Sequence, residues 1–236
     1  MKIPALRGLI DRRILINYTA DPEAVRRILP HPFRVQTYAG KAIVGICLIR
    51  LKQIRPQGFP AMLGIASENG AHRIAVEWEA NGKLHQGVYI PRRDTSLWLN
   101  ARVGGVLFPG QHHLARFTVH EAAGQYSVGF ESEDDTCLSI QASEADTFPA
   151  TSVFSGLAEA SAFFERGAVG YSPHRNRFDG LRLQTDRWAV RPLAISEVTS
   201  SFFEDRTLFP DGVTFDNALL MTRIEHTWRS EADIGS

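Results

Sequence analysis

The chain has 236 residues, 44% of them hydrophobic and 22% charged, which is enough apolar material for one domain of ordinary density or a pair of fused sheets. Its 26 acidic residues balance its 26 basic ones, and the basic residues are dispersed, so no long-range field gathers nucleic acid or an anionic membrane. The N-terminal MKIPALRGLIDRR lacks the apolar core of a signal peptide, no apolar run reaches the roughly 18 residues of a membrane span, and Cys47 and Cys137 read as two buried thiols in a reducing compartment; the expectation is a cytoplasmic protein.

In chain order, Ile14 to Tyr18 reads as the first strand. A helix follows: Asp21 can cap it, Pro22 suits its first turn, Val25, Ile28 and Leu29 form its apolar face, and Pro30 and Pro32 end it. Phe33 to Tyr38 reads as a strand, and AIVGICLIRL from Ala42 to Leu51 is apolar on both faces, as in a strand covered on both sides. Arg55 to Pro60, rich in Pro and Gly, reads as a loop. The clearest local signal is HRIAVEWEANGKLHQGVYI, His72 to Ile90, because Asn81-Gly82 is the preferred pair for a two-residue hairpin turn. With Ala80 paired to Lys83, Trp78 lies opposite His85, Val76 opposite Gly87, Ile74 opposite Tyr89 and His72 opposite Pro91. One face then carries His72, Ile74, Val76, Trp78, His85 and Tyr89, and the other Arg73, Glu77, Glu79, Gln86, Val88 and Ile90. Ala115 to Glu121, Gln125 to Ser132 and Thr136 to Glu144 form a meander with turns at Ala123-Gly124 and Glu133 to Asp135. A second helix is capped at Ser155, buries Leu157, Ala158, Ala162 and Phe163, and stops at Gly167. Tyr171 to Gly180, YSPHRNRFDG, reads as a polar loop, and strands return at Leu181 to Trp188, Ile195 to Phe203 and Phe215 to Trp228. The sum is a mostly β (α+β) fold: an antiparallel barrel or cone with two or three short helices, spanning residues 1–236 as a single domain.

The stretches ENGAHRIAVEW, GVYIPRRDTS, FPGQHH, GYSP, SSFF and FDNALL, in this order, resemble a bacterial family of uncharacterised conserved proteins in the acetoacetate decarboxylase-like superfamily. The resemblance runs from Arg13 to Trp228 and implies a closed or cone-shaped β-barrel around an internal cavity. It also implies a contrast. Acetoacetate decarboxylase carries a Pro-Lys-Lys motif whose first lysine forms a Schiff base with the keto acid, whereas the similar place here is Pro91-Arg92-Arg93. A guanidinium stays protonated and is a poor amine nucleophile. Of Lys2, Lys41, Lys52 and Lys83, only Lys52, at the end of an apolar strand, is placed to turn inward, so Schiff-base decarboxylation is not expected.

Candidate chemistry gathers at the polar end of the hairpin. Arg92, Arg93 and Asp94 leave it after Pro91, and an arginine fork binds a carboxylate through two parallel hydrogen bonds, which makes these the candidate substrate-binding residues. Glu68 and His72 run past the same end and are the candidate acid–base pair. The plain alternatives are structural salt bridges from the arginines to Glu68, Glu77 or Asp94, and a core histidine. His112 and His113, with His174 and His226, match no metal-ligand spacing; no GxSxG occurs, and Gly104-Gly105 lacks the lysine of a phosphate-binding loop, so neither metal nor cofactor is expected. The function expected is binding of a small organic acid or carbonyl compound in the barrel cavity, with any catalysis lyase- or hydrolase-like rather than Schiff-base. The rival is a non-catalytic homo-oligomeric scaffold that works through its surface.

Overall fold

A computed structural model describes residues 5–98 and 110–235; Lys2, Gly104, Gly105 and Pro109 lie outside them. The strands are β1 (Leu6–Ala20), β2 (Arg34–Val35), β3 (Thr37–Tyr38), β4 (Lys41–Pro56), β5 (Ile65–Ala80), β6 (Lys83–Thr95), β7 (His112–Ala122), β8 (Gln125–Ser132), β9 (Cys137–Glu144), β10 (Val169–His174), β11 (Arg177–Thr185), β12 (Arg191–Ser200), β13 (Val213–Ser230) and β14 (Ile234–Gly235). The helices are α1 (Pro22–Ile28), α2 (Leu157–Arg166) and α3 (Ser201–Glu204), with a 3₁₀ turn at Ala61–Leu63. Among the described residues no helix is long and apolar enough to cross a membrane.

Among the described residues all the strands join one sheet that curls into a ring. The wall β13-β1-β4-β5-β6 is shared by two circuits of pairing, one returning through β7, β8, β9 and β12, the other through β10 and β11. This explains why Ala42 to Leu51 is apolar throughout: one face, with Val44, Ile46 and Leu48, joins a core with Ile14, Ile16, Trp78 and Phe130, while the other, with Ile43, Cys47 and Ile49, joins a second core with Leu15, Phe163, Phe164 and Leu219. Most pairings are antiparallel, but β6 runs parallel to both β7 and β10.

Local chemistry accounts for several elements. The Asp21 carboxylate accepts from the Glu23 amide at 2.9 Å, and Pro22 opens α1. Asn81 and Gly82 both have positive φ, 52° and 70°, and Ala80 pairs with Lys83 as the two-residue turn requires.

Other expectations are corrected. Tyr171 to Gly180 is not a loop but the hairpin of β10 and β11, turning at Arg175-Asn176; Tyr171 and Phe178 both reach the core, and the polar residues between them hid the alternation. Phe202 and Phe203 lie in α3, not in a strand, because the Ser200 hydroxyl caps a turn there. Helix α2 buries Ala160, Phe163 and Phe164 while Ala158 is exposed, and Ser155 bonds Glu159 instead of capping the helix backbone. Cys47 is buried, as expected, but Cys137 is exposed.

The correction with most consequence is in the hairpin. The expected register holds from Ala80↔Lys83 through Ile74↔Tyr89 and then shifts, so that His72 faces Arg92 rather than Pro91. Two residues, Ile90 and Pro91, stand against the single residue Arg73, which is a β-bulge. The extra residue reverses the alternation beyond it. Arg92 and Asp94 fall on the face of His72 and Tyr89, and Arg93 falls on the face of Ile90.

Candidate functional site

Arg93 lines a cavity of about 110 Å³ between the shared wall and the β10–β11 hairpin. Cys47, Ile49, Ala71, Arg73, Val88 and Ile90 form its wall side, Gly170, Leu181, Leu183 and Trp228 close it, and Arg13 and His112 also line it. The strand registers set this arrangement. Cys47 pairs with Leu15 on β1 and with Ala71 on β5; Ala71 pairs with Arg93 on β6, and Arg93 with His112 on β7. The small Ala71 side chain leaves room above the middle of that row. Arg13 and Arg73 stand one alternation to either side of it.

The cavity is rich in cations and poor in anions. Among the described residues, Arg13, Arg73 and Arg93 have no ion pair, whereas the other arginines that face inward do. The Arg13 Nε donates to Cys47 Sγ at 3.1 Å, and its guanidinium lies 5.7 Å from the Trp188 ring. Arg73, 6% exposed, donates to Asn17 Oδ1 and lies 4.8 Å from the Phe164 ring, while its Nε has no acceptor. Asn17 in turn donates to Asn217 at 2.7 Å, and Asn217 to Asp216 at 2.6 Å, so the nearest carboxylate along this chain is two amides away. The Arg93 Nε donates to the Ser172 hydroxyl at 3.0 Å. Burial pushes the guanidinium pKa of Arg73, and likewise that of Arg93, down to about 10. Both still carry a charge at neutral pH, held at a desolvation cost that neutral hydrogen-bond partners and no ion pair offset.

The other sequence-selected residues lie outside this constellation. Glu68 accepts from Arg12 at 2.6 Å and also pairs with Arg50; Arg12 and Arg50 both reach Glu121 as well. Arg92 donates to Asp94 at 2.7 Å and to Asp134 at 2.6 Å, and Asp94 also accepts from Ser132 at 2.7 Å. Burial raises the Asp94 pKa, opposed by Arg92 and Ser132, and Arg92 holds that of Asp134 well below the usual carboxylate range. Asp94 also lines the cavity. His72 is fully buried against Phe202, at 4.3 Å between ring centroids, and against Phe203. Neither of its ring nitrogens has a hydrogen-bond partner, its Nδ1 is 3.7 Å from Asp94 Oδ2, and burial, helped by the charge of Arg92, pushes its pKa down to about 3. The expectation that Arg92 or Arg93 shares a cavity with Glu68 or His72 is not met at this cavity: the bulge leaves Arg92 on the face of His72 and turns Arg93, which lines the cavity, away from both.

The remaining candidates are dispersed. His113 is 3.6 Å from Asp134, His174 pairs with Asp179, and His226 is buried beside Trp228 with its pKa pushed down to about 4 by burial. Among the described residues no group of three or more His, Cys, Asp and Glu is placed to hold a metal ion. Lys52 points outward to Asp11 at 2.9 Å, and Lys41 and Lys83 are exposed. Sequence reading missed Arg13, Arg73 and Cys47. The one available signal was the double-sided apolar strand around Cys47, which implied that the face carrying Arg73 is covered.

Residues 10–219 match the DUF2071 family, described as an uncharacterized conserved protein. No curated protein matches the sequence. Solved structures of similar fold include the acetoacetate decarboxylase of Legionella pneumophila subsp. pneumophila str. Philadelphia 1, with TM-score 0.60 and 12% identity over 98% of this chain and 88% of that one. An acetoacetate decarboxylase-like enzyme from Sphingomonas wittichii RW1 gives 0.56 and 13% over 98% and 92%. The enduracididine biosynthesis enzyme MppR complexed with pyruvate gives 0.55 and 12% over 99% and 90%.

Proposed function

We propose that this chain, which belongs to the DUF2071 family, binds a short organic acid in the cavity of Arg13, Arg73 and Arg93, its carboxylate neutralising the buried guanidinium of Arg73 and the half-buried ones beside it. The observation that carries this reading is that none of these three arginines has an ion pair among the described residues, the one lining carboxylate, Asp94, being held by Arg92, whereas Arg12, Arg50 and Arg92 each pair with carboxylates. A buried charge without a partner costs several kcal/mol, and an anionic ligand removes that cost. Size narrows the class: a cavity of about 110 Å³ holds more than a single water and suits a short acid. The apolar remainder, Ile49, Val88, Ile90, Leu181 and Leu183, suits the ligand's carbon end. That MppR has been solved with pyruvate bound supports the size class. No lysine borders the cavity among the described residues, which argues for binding without an imine.

Calorimetric titration with acetate, pyruvate and 2-oxobutanoate, beside their neutral amides, tests the proposal. The acids should bind and the amides should not, and Arg93→Ala should weaken acid binding at least tenfold. Equal binding of acids and amides, or undiminished affinity in Arg93→Ala, would overturn it.

A further inference from the structure

Resting on that anion-binding reading, we infer that Cys47 is the nucleophile of the cavity, its sulfur adding to an electrophilic carbon of the arginine-held acid. Cys47 is 6% exposed, and the surface it keeps borders the cavity. Its place in the registers is central: Leu15 and Ala71 flank it, Arg93 follows beyond Ala71, and Arg13 and Arg73 stand one alternation to either side. Its sulfur already accepts a hydrogen bond from Arg13. Reactive cysteines lie beside cationic side chains with one side accessible, and Cys47, though its other neighbours form the second core, borders the cavity and meets Arg13. The independent sign of a ligand is Arg73, 6% exposed and bordering the cavity, whose charge meets only the neutral Asn17 amide oxygen and the Phe164 ring and no carboxylate. A carboxylate drawn to Arg73 and Arg93 shares the cavity wall with Ala71 and Cys47.

The step balances without a co-reactant. With a 2-oxo acid, the Cys47 sulfur forms a bond to the carbonyl carbon, the C=O π pair moves to oxygen, and the thiol proton ends on that oxygen, giving a hemithioketal with no leaving group. With a haloacetate, the S–C bond forms as the carbon–halogen bond breaks, halide leaves with the electron pair, and the thiol proton goes to buffer.

The haloacetate supplies the test. The folded wild-type protein is treated with iodoacetate or iodoacetamide, and labelling is followed at Cys47 and at the exposed Cys137 by peptide mass spectrometry. The iodoacetate-to-iodoacetamide rate ratio should be at least tenfold higher at Cys47 than at Cys137. Excess pyruvate should protect Cys47 and leave Cys137 unchanged, a measurement that needs no variant. Arg93→Ala should return the Cys47 ratio to the Cys137 value. Calorimetry on the unlabelled protein separates the two claims. Pyruvate binding with Cys47 inert, or with equal ratios at the two cysteines, overturns the nucleophile inference alone. No acid binding together with an inert Cys47 overturns the anion-binding reading as well.

Discussion

The same dipeptide, Arg-Arg, occurs at Arg12-Arg13 on β1 and at Arg92-Arg93 on β6, and the structure treats its two members in opposite ways. Arg12 meets Glu68 and Glu121, and Arg92 meets Asp94 and Asp134. Arg13 meets a thiol and a thioether, and Arg93 a hydroxyl. Strand alternation alone sends neighbouring residues to opposite faces of the wall. What differs is the chemistry waiting on each face. On one, every guanidinium meets at least one carboxylate, although the Arg12 Nε has no acceptor, and such pairing is how a buried charge is made structurally tolerable. On the other, charge is left uncompensated, and local rules broken at one spot mark functional or strained sites in proteins whose remaining elements are consistent.

The sharpest way to break this comparison is to truncate each member of one dipeptide. Arg92→Ala leaves Asp94, 1% exposed, without its strongest partner and should cost about 3–5 kcal/mol in urea unfolding. Arg93→Ala removes a cation that has no carboxylate, so its unfolding free energy should change by under ~1 kcal/mol or rise. Similar losses in both variants would show that the two faces are not different in kind. Glu68→Gln probes the saturated face more gently. It weakens the hold on Arg12, which is 2% exposed, but Glu121 still pairs with it, so a loss of about 1–3 kcal/mol is expected from urea midpoints. A Glu68→Gln variant as stable as wild type would mean that this network contributes nothing.

How much of this was legible beforehand follows from what local sequence encodes. Asn81-Gly82 requires positive φ at consecutive positions, so its turn and the pairing from Ala80 to Ile74 could be read directly. The bulge at Ile90-Pro91 carries no such requirement, and it decides whether Arg92 or Arg93 faces the cavity. Alternation likewise puts Arg73 on the face of Glu77 and Glu79 but does not say what covers that face. The cover comes from α2 and from β10 and β11, distant in sequence, over Arg73 but not over Glu79, which is exposed. Arg93 was selected for its chemistry; Arg13 and Cys47 carry meaning only once β1, β4 and β5 are laid side by side.

A pH experiment sharpens the account of the saturated face. His72 is held neutral in the fold, with its pKa lowered from 6.5 to about 3, chiefly by burial. Above pH 6.5 both folded and unfolded forms are neutral and this site makes no pH-dependent contribution. As pH falls from 6.5 toward 3 only the unfolded state takes the proton, so stability is lost on acidification, by about 1.4 kcal/mol at pH 5.5. His72→Phe keeps an aromatic ring beside Phe202 and removes the titration. Thermal melts at pH 8 and pH 5.5 should show a smaller acid-induced drop in Tm for the variant than for wild type, and parallel drops would place the neutral buried imidazole in doubt.

The smallest expected effect on stability is also the most selective for the unpaired face. Ala71 lies between Cys47 and Arg93 in the strand registers, and its short side chain is what leaves the cavity open over them. Ala71→Val puts two methyl groups into that space. A β-branched residue is well suited to a central strand, and each buried carbon group contributes about 0.8 kcal/mol where room exists, so unfolding free energy should stay within ~1 kcal/mol of wild type or rise. No charge or hydrogen bond is removed, because Ala71 supplies neither to its neighbours' side chains. Acid binding should nevertheless fall at least tenfold, since the volume a carboxylate would fill beside Arg73 and Arg93 is taken up. The pairing of an unchanged melt with a lost calorimetric signal separates occupancy of the cavity from its electrostatics, which Arg93→Ala addresses. If Ala71→Val bound short acids as wild type does, the anion site would have to lie elsewhere on the surface, and the unpaired arginines on this face would need another explanation.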